Sequence, residues 1–249
     1  MSSLSEHYLL DKKVKIYQPD EGYHASSDAV WLSSAVENVK DGDTLLDVGS
    51  GTGAVSLCVA ERFKQKKIQI TGIEIQPALA QAAEQSAKAN HFDFVTFENC
   101  NIFESNLSPC SFAHVITNPP YALEDMPSPN KSKATAHNFQ TADLKTWIDF
   151  CIKMIKPQGY FYIINRTEAL DDIIATIHDK LGQIEIFPLH SKVDQPAKRI
   201  VLRARKDSKA PLVLHQPVIV HDEPGAYTAQ AEAVLRKGLS LQSVLTPSD

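Results

Sequence analysis

Two short stretches carry residues whose types and spacing can do chemistry. One is Asn118-Pro119-Pro120-Tyr121, which ends the apolar run HVIT, and the other is Asp47-Val-Gly49-Ser-Gly51-Thr-Gly53, which follows TLL. In the first, the Asn118 side-chain carbonyl and the Pro119 backbone carbonyl can each accept one N–H of a single amino group. An amino group on a heteroaromatic ring, or an amide nitrogen, is a poor nucleophile because its lone pair is delocalised. Two acceptors draw such a nitrogen towards tetrahedral geometry and point its lone pair outward. Pro120 fixes its own φ and restricts the residue before it, which holds the acceptors rigid. Tyr121 offers a flat face on which a planar target stacks. Positioning then supplies much of the acceleration, with little need of a general base. The plainer reading is a Pro-Pro turn with incidental neighbours.

The second stretch is a glycine loop of the kind that lets a backbone approach a ligand and turn sharply into a helix. Gly49, Gly51 and Ala54 also satisfy the dinucleotide fingerprint G-x-G-x-x-G/A. Asp47 weighs against a dinucleotide, because a carboxylate at the mouth of the loop repels a pyrophosphate and suits an ammonium group. S-adenosylmethionine combines a cationic amino-acid end with an adenosine end, and it is the cofactor expected here. Glu74 lies 21 residues after Gly53 and closes an apolar run, where it can accept hydrogen bonds from both ribose hydroxyls. That placement serves either ligand. Asn101 is a candidate contact for the adenine amino group, with Ile75 and Ile102 flanking the ring; as a helix N-cap it would look the same.

The elements that must hold these residues follow from periodicity. Strand-type runs fall at 44–48, 68–73, 93–97, 112–117, 160–165, 183–188 and 199–205, and helical patterns at 54–63, 77–90, 141–155 and 167–180. Pro77 suits the first turn of its helix. Such alternation implies an α/β, doubly wound, Rossmann-like sheet of seven strands, covered on both faces. No helix separates the last two strands, so they form an antiparallel pair and one strand runs against the rest. We expect one domain over 41–206, with an N-terminal segment 1–40 and a C-terminal tail 207–249 packed against it.

DVGSGTG, an acidic residue after the second strand, and NPPY after the fourth resemble the class I S-adenosylmethionine-dependent methyltransferases that modify exocyclic or amide nitrogens. NPPY alone leaves adenine N6, cytosine N4, guanine N2 and the glutamine side chain open. The segments QPDEGYHASSDAVWL, SPNKSKATAHN, QPAKRIVLRARKDSKAPL and GAYTAQAEAVLRKG extend the resemblance, to the small bacterial tRNA adenine-N6 methyltransferases that act at adenine 37. By that resemblance, GYHASSDA caps the methionine end of the cofactor, with Asp28 a candidate contact; from the residues alone Asp28 is equally an N-cap for a helix beginning at Ala29. The expected partner is RNA, with tRNA foremost, bound by a monomer.

Lys131, Lys133 and His137 sit in a polar loop just beyond NPPY, either within reach of phosphates flanking an inserted base or simply part of a mobile hydrophilic loop. Arg199, Arg203 and Arg205 share one face of the last strand by alternation, a face suited to RNA phosphates or merely solvated, and Lys198 precedes them. Two features depart from the wider pattern. The third strand ends in Cys100-Asn101 where many such enzymes have Gly-Asp, and no appended RNA-binding domain is evident, so RNA affinity should be salt-sensitive. The competing readings are a guanine-N2 methyltransferase of ribosomal RNA, a glutamine methyltransferase of a release factor, and a nucleotide-binding regulatory protein without transfer activity.

The totals bound these readings. The chain has 249 residues, 43% hydrophobic and 22% charged, enough for one large α/β domain. Cys58, Cys100, Cys110 and Cys151 show neither C-x-x-C spacing nor a partnering His cluster, so they read as reduced thiols of a cytoplasmic protein with no metal site. No apolar run approaches a membrane span, and the N-terminus lacks a signal core. From His190 onward nine basic residues meet six acidic ones, a net +3; the first 189 residues carry sixteen and twenty-four, a net −8. The C-terminal part can face phosphates, and on charge alone a solvated basic face reads the same.

Overall fold

A computed structural model describes residues 4–20, 25–120, 144–222 and 225–246. Its described strands are β1 (Leu4–Leu9), β2 (Val14–Pro19), β3 (Thr44–Val48), β4 (Gln69–Glu74), β5 (Val95–Asn99), β6 (Phe112–Thr117), β7 (Ile155–Arg166), β8 (Leu181–His190), β9 (Ala197–Lys206), β10 (Val213–Leu214) and β11 (Val218–Ile219). The helices are α1 (Ser27–Ser34), α2 (Ala54–Arg62), α3 (Pro77–Ala89), α4 (Leu144–Met154), α5 (Leu170–Ile177), α6 (Ala229–Leu235) and α7 (Leu241–Leu245).

Seven strands form the body of the sheet in the order β5-β4-β3-β6-β7-β9-β8, with the two-residue strands β10 and β11 added on β8. All pairings are parallel except those of β9, which runs antiparallel to both β7 and β8. The expected antiparallel pair is present, and its second strand is wedged inside the sheet beside β7. The chain leaves β3 for β4 on one side and returns to β6 on the other, so the order reverses between β3 and β6. That is where a doubly wound sheet opens a crevice at the carboxyl ends of its strands.

Strand alternation divides the core between the two faces. Leu45, Ile70, Ile116, Ile164 and Val201 pack under α1, α2 and α3, while Leu46, Ile73, Val115, Ile163 and Leu202 pack under α4 and α5. Burial on both faces explains why these strands read as continuous apolar runs. The lysine-proline-glutamine-glycine stretch 156–159 falls inside β7 as an irregularity: pairing with β6 jumps from Phe112–Ile155 to His114–Tyr160.

Residues outside the sheet body are tied to it by polar contacts. The β1–β2 hairpin, which hydropathy alone did not reveal, lies on α3: the Lys15 and Tyr17 amides donate to Asn90 Oδ1 and Ser86 Oγ, each at 2.9 Å. The Arg62 guanidinium of α2 donates to the carbonyls of Ser33, of Val36 at 3.1 Å and of Gly238 at 3.2 Å, joining α1 and the tail. All four cysteines are free thiols. Among the described residues no helix is long and apolar enough to cross a membrane.

Candidate active site at the sheet switch point

Parallel pairing sets the register of the site. Val48 pairs with Thr117, so the residues that follow them, Gly49 and Asn118, leave the sheet side by side at the switch point. Two hydrogen bonds fix that junction. Thr117 Oγ1 donates to the Val48 carbonyl at 2.9 Å, and Trp147 Nε1 of α4 donates to Thr117 Oγ1 at 2.8 Å. The indole also lies against the loop, since a Cβ built on Gly49 would meet Trp147 Cζ2 at 2.8 Å. Trp147 falls in the helical pattern 141–155 and nothing in its spacing marks this role, because a long-range hydrogen bond leaves no periodic trace.

The three loop glycines all adopt left-handed φ: +72° at Gly49, +55° at Gly51 and +82° at Gly53. Their surroundings differ. A Cβ on Gly53 would strike the Phe97 ring at 2.6 Å, whereas one on Gly51 would meet nothing within 4 Å among the described residues. Gly49 and Gly53 therefore serve close packing, whereas no described residue packs where a Gly51 side chain would stand. The loop is held to β4 by Gly49 and Ser50 amides donating to the Ile73 carbonyl at 2.9 and 3.0 Å. Buried hydroxyls Ser50 Oγ and Thr52 Oγ1 have no hydrogen-bond partner among the described residues.

Two carboxylates flank this loop. Asp47 is 1% exposed, and its Oδ2 accepts from Ser56 Oγ at 2.7 Å and from the Ser56 amide at 3.2 Å. Burial pushes its pKa up to about 6, with the nearby Glu74 charge adding and the Ser56 bonds opposing. Such a carboxylate gains from a cation. Glu74 accepts from the Gly51 amide through Oε2 at 2.9 Å and from the Gln76 amide through Oε1 at 2.8 Å; burial raises its pKa against those two bonds. It is thus aimed at the loop rather than splayed into solvent. Asn99, which sequence reading passed over, supports the same corner by donating to the carbonyls of Glu74 and Ile75 at 2.8 and 2.9 Å.

The remaining candidates divide. Ile102 is buried, and Asn101 Oδ1 accepts from the Phe103 amide at 3.0 Å, closing a single turn where the alternative reading had a helix cap. Pro119 is buried and Pro120 exposed. The N-cap of α1 is Ser26, whose hydroxyl accepts from the Asp28 amide at 3.2 Å, so Asp28 is not the cap; it lies in the first turn and pairs with Arg199 at 3.2 Å. Tyr121, Lys131, Lys133 and His137 lie outside the described residues.

Arg203 requires a correction. The residue is 6% exposed, and its guanidinium bonds Glu185 through Nε and Nη2 at 2.8–3.0 Å and Glu37 through Nη1 at 2.8 Å. It therefore cannot face RNA. Alternation correctly predicted the shared face, but helix α1 and the segment after it cover the middle of that face. Arg205 stacks at 5.4 Å over Tyr160 and donates to the Gln158 carbonyl at 3.1 Å, far from the carboxyl edge. Lys198 is exposed near that edge.

The fold and the paired loops define a class I methyltransferase, and comparison with known proteins bears this out. The family model described as a methyltransferase domain matches residues 39–208. A predicted O-methyltransferase from Agrobacterium tumefaciens superposes with a TM-score of 0.70 at 25% identity, over 86% of this chain and 97% of the other. The Thermus thermophilus 16S rRNA N2 G1207 methyltransferase, at 15% identity over 82% of this chain and 50% of the other, shares the fold with a TM-score of 0.56. A tRNA1(Val) (adenine(37)-N6)-methyltransferase from Dyadobacter fermentans is 31% identical over 216 residues, 86% of this chain and 89% of that one. The chain belongs to the family of those tRNA methyltransferases. With the relative of the same name from Porphyromonas gingivalis, 32% identical over 133 residues, it matches about half of either chain, 51% of each.

Proposed function

We propose that this protein transfers a methyl group from S-adenosylmethionine to the N6 amino group of an adenine in tRNA, at position 37 beside the anticodon. The observation that carries the reading is the Val48–Thr117 pairing, because it sets a cation-seeking glycine loop next to Asn118. The loop and its flanking carboxylates suit the cofactor: the buried Asp47 carboxylate matches its ammonium group, Glu74 its ribose hydroxyls, and the space at Gly51 its passage across the loop. Asn101, Ile75 and Ile102 line the adenine side, and Asp28 in α1 closes the methionine end.

When bound, S-adenosylmethionine supplies an electrophilic methyl on a sulfonium. The protein's part is to present the nucleophile. Asn118 Oδ1 and the Pro119 carbonyl accept the two N–H bonds of the target amine, which concentrates its lone pair towards the methyl. Pro120 holds these acceptors, and Tyr121 stacks on the base. The Trp147–Thr117–Val48 bonds keep the Asn118 edge at a constant distance from the glycine loop. Transfer gives an ammonium nitrogen acidic enough to release its proton to water. Lys131, Lys133, His137, Lys198 and Arg199 contact the RNA backbone, and the protein acts as a monomer in the cytoplasm.

The test is to incubate the protein with labelled S-adenosylmethionine and, separately, tRNA, ribosomal RNA and release factor from cells lacking the gene. Label in tRNA recovered as N6-methyladenosine is the expected result. Label in ribosomal guanine or in protein assigns one of the competing substrates.

A further inference from the structure

Strand β7 carries a residue that its sequence pattern did not single out. Arg166 is its last member, and the antiparallel register sets it directly opposite Arg199 of β9. Directly opposed residues of neighbouring strands project from the same face of the sheet. Here it is the face packed by α1, since the next pair inward, Ile164 with Val201, belongs to that core. Like charges in such a pair repel, so an anion between them is favoured. Asp28 reaches Arg199 at 3.2 Å and brings one carboxylate to the place.

The position matters. Thr117 pairs with Ile163 of β7, so Arg166, three residues further on, projects past the Asn118 edge from the neighbouring strand. It stands across β6 from the glycine loop, on the side left for the substrate. The backbone there is fixed: Asn165 Oδ1 accepts from the Arg166 amide at 2.7 Å, and Thr167 Oγ1 donates to the Ala197 carbonyl at 2.7 Å, joining the end of β7 to β9. Both arginines are partly exposed, and Arg199 Nη1 donates to the carbonyl of exposed Lys198 at 3.1 Å.

We propose that Arg166 and Arg199 form a two-arginine seat for an RNA phosphodiester next to the extruded base, with Asp28 as the counter-ion that holds Arg199 in the free protein. Guanidinium forks match phosphate oxygens two at a time, so two opposed arginines grip one phosphate and fix the register of the strand over the Asn118 clamp. This inference rests on the reading of the protein as an RNA methyltransferase.

The experiment is binding of an unmodified tRNA transcript without cofactor, measured against potassium chloride concentration, for the full chain. Arg166→Gln is expected to weaken binding roughly tenfold and to lower the log–log salt slope by about one, while S-adenosylmethionine affinity and melting temperature hold. Arg166→Lys should restore the slope. Asp28→Asn, which removes this carboxylate from Arg199, should bind tRNA at least as tightly as wild type. Unchanged tRNA binding by Arg166→Gln, or weaker binding by Asp28→Asn, overturns the seat and leaves the methyltransferase reading standing. A wild-type protein with no affinity for tRNA overturns both.

Discussion

Trp147 Nε1 donates to Thr117 Oγ1 at 2.8 Å, and the same indole closes against Gly49. One side chain from α4 therefore touches both halves of the site, the strand that presents Asn118 and the loop proposed to hold the cofactor. Trp147→Phe keeps the ring contact and removes the donor. It should cost about 1 kcal/mol of stability, the net worth of one hydrogen bond. If the link sets the spacing between methyl and amine, kcat should fall by about tenfold with little change in either KM. Thermal unfolding and steady-state kinetics check the two parts.

The loop glycines should separate into two kinds. Gly53→Ala drives a Cβ into the Phe97 ring at 2.6 Å and adds strain at φ +82°, so its effect is chiefly on folding. Gly51→Ala meets no atom of the described residues and carries only the left-handed strain, about 1–2 kcal/mol. Its Cβ instead intrudes on the space proposed for the cofactor. Calorimetry should find Gly51→Ala folded with S-adenosylmethionine affinity reduced at least tenfold, and Gly53→Ala markedly less stable.

Asp47 predicts a pH dependence. Its folded pKa of about 6 lies above the ordinary carboxylate value of 3.8. A raised carboxylate pKa contributes stability that is fully present below 3.8 and is lost as pH rises through about 6. The free protein should thus lose stability from about pH 4 to pH 7 on this group's account. The ionised form is the one that pairs with an ammonium, so S-adenosylmethionine affinity should rise over the same window. Glu74 shifts in the same direction, and Asp47→Asn isolates the effect: its affinity should be lower and flatter with pH, by titration calorimetry at pH 5, 6 and 7.

Arg203 separates structure from recognition. Arg203→Met takes this partner from Glu37 and leaves Glu185 with His215 at 3.0 Å, and breaking a buried pair of this kind costs about 3–5 kcal/mol. The salt slope of tRNA binding should nevertheless match wild type, whereas Lys198→Ala should lower it by about one. Denaturant unfolding and salt-dependent binding distinguish the two residues.

These cases also mark what sequence carries. The seven sheet strands were legible because burial on both faces writes them as apolar runs, and Gly49, Glu74 and Asn118 were legible because each ends such a run. The β1–β2 hairpin was not, since only β2 is buried and β1 lies largely open. Arg203 misled for the opposite reason: period-two alternation assigns a face but not what covers it, and the covering residues come from the N-terminal segment 166 positions away. Arg166 and Trp147 act through partners fixed by strand register and a long-range hydrogen bond, neither of which has a local pattern.

The central claim is that Asn118 presents an adenine N6 amine of tRNA to the methyl group. Its most direct measurement is nucleoside analysis of tRNA methylated by wild type and by Asn118→Ala, with cofactor affinity measured in parallel. The account predicts N6-methyladenosine from wild type and at least a hundredfold slower transfer by Asn118→Ala, about 3 kcal/mol at the transition state, with S-adenosylmethionine affinity little changed. Undiminished transfer by Asn118→Ala, or a methylated product other than N6-methyladenosine, would contradict it.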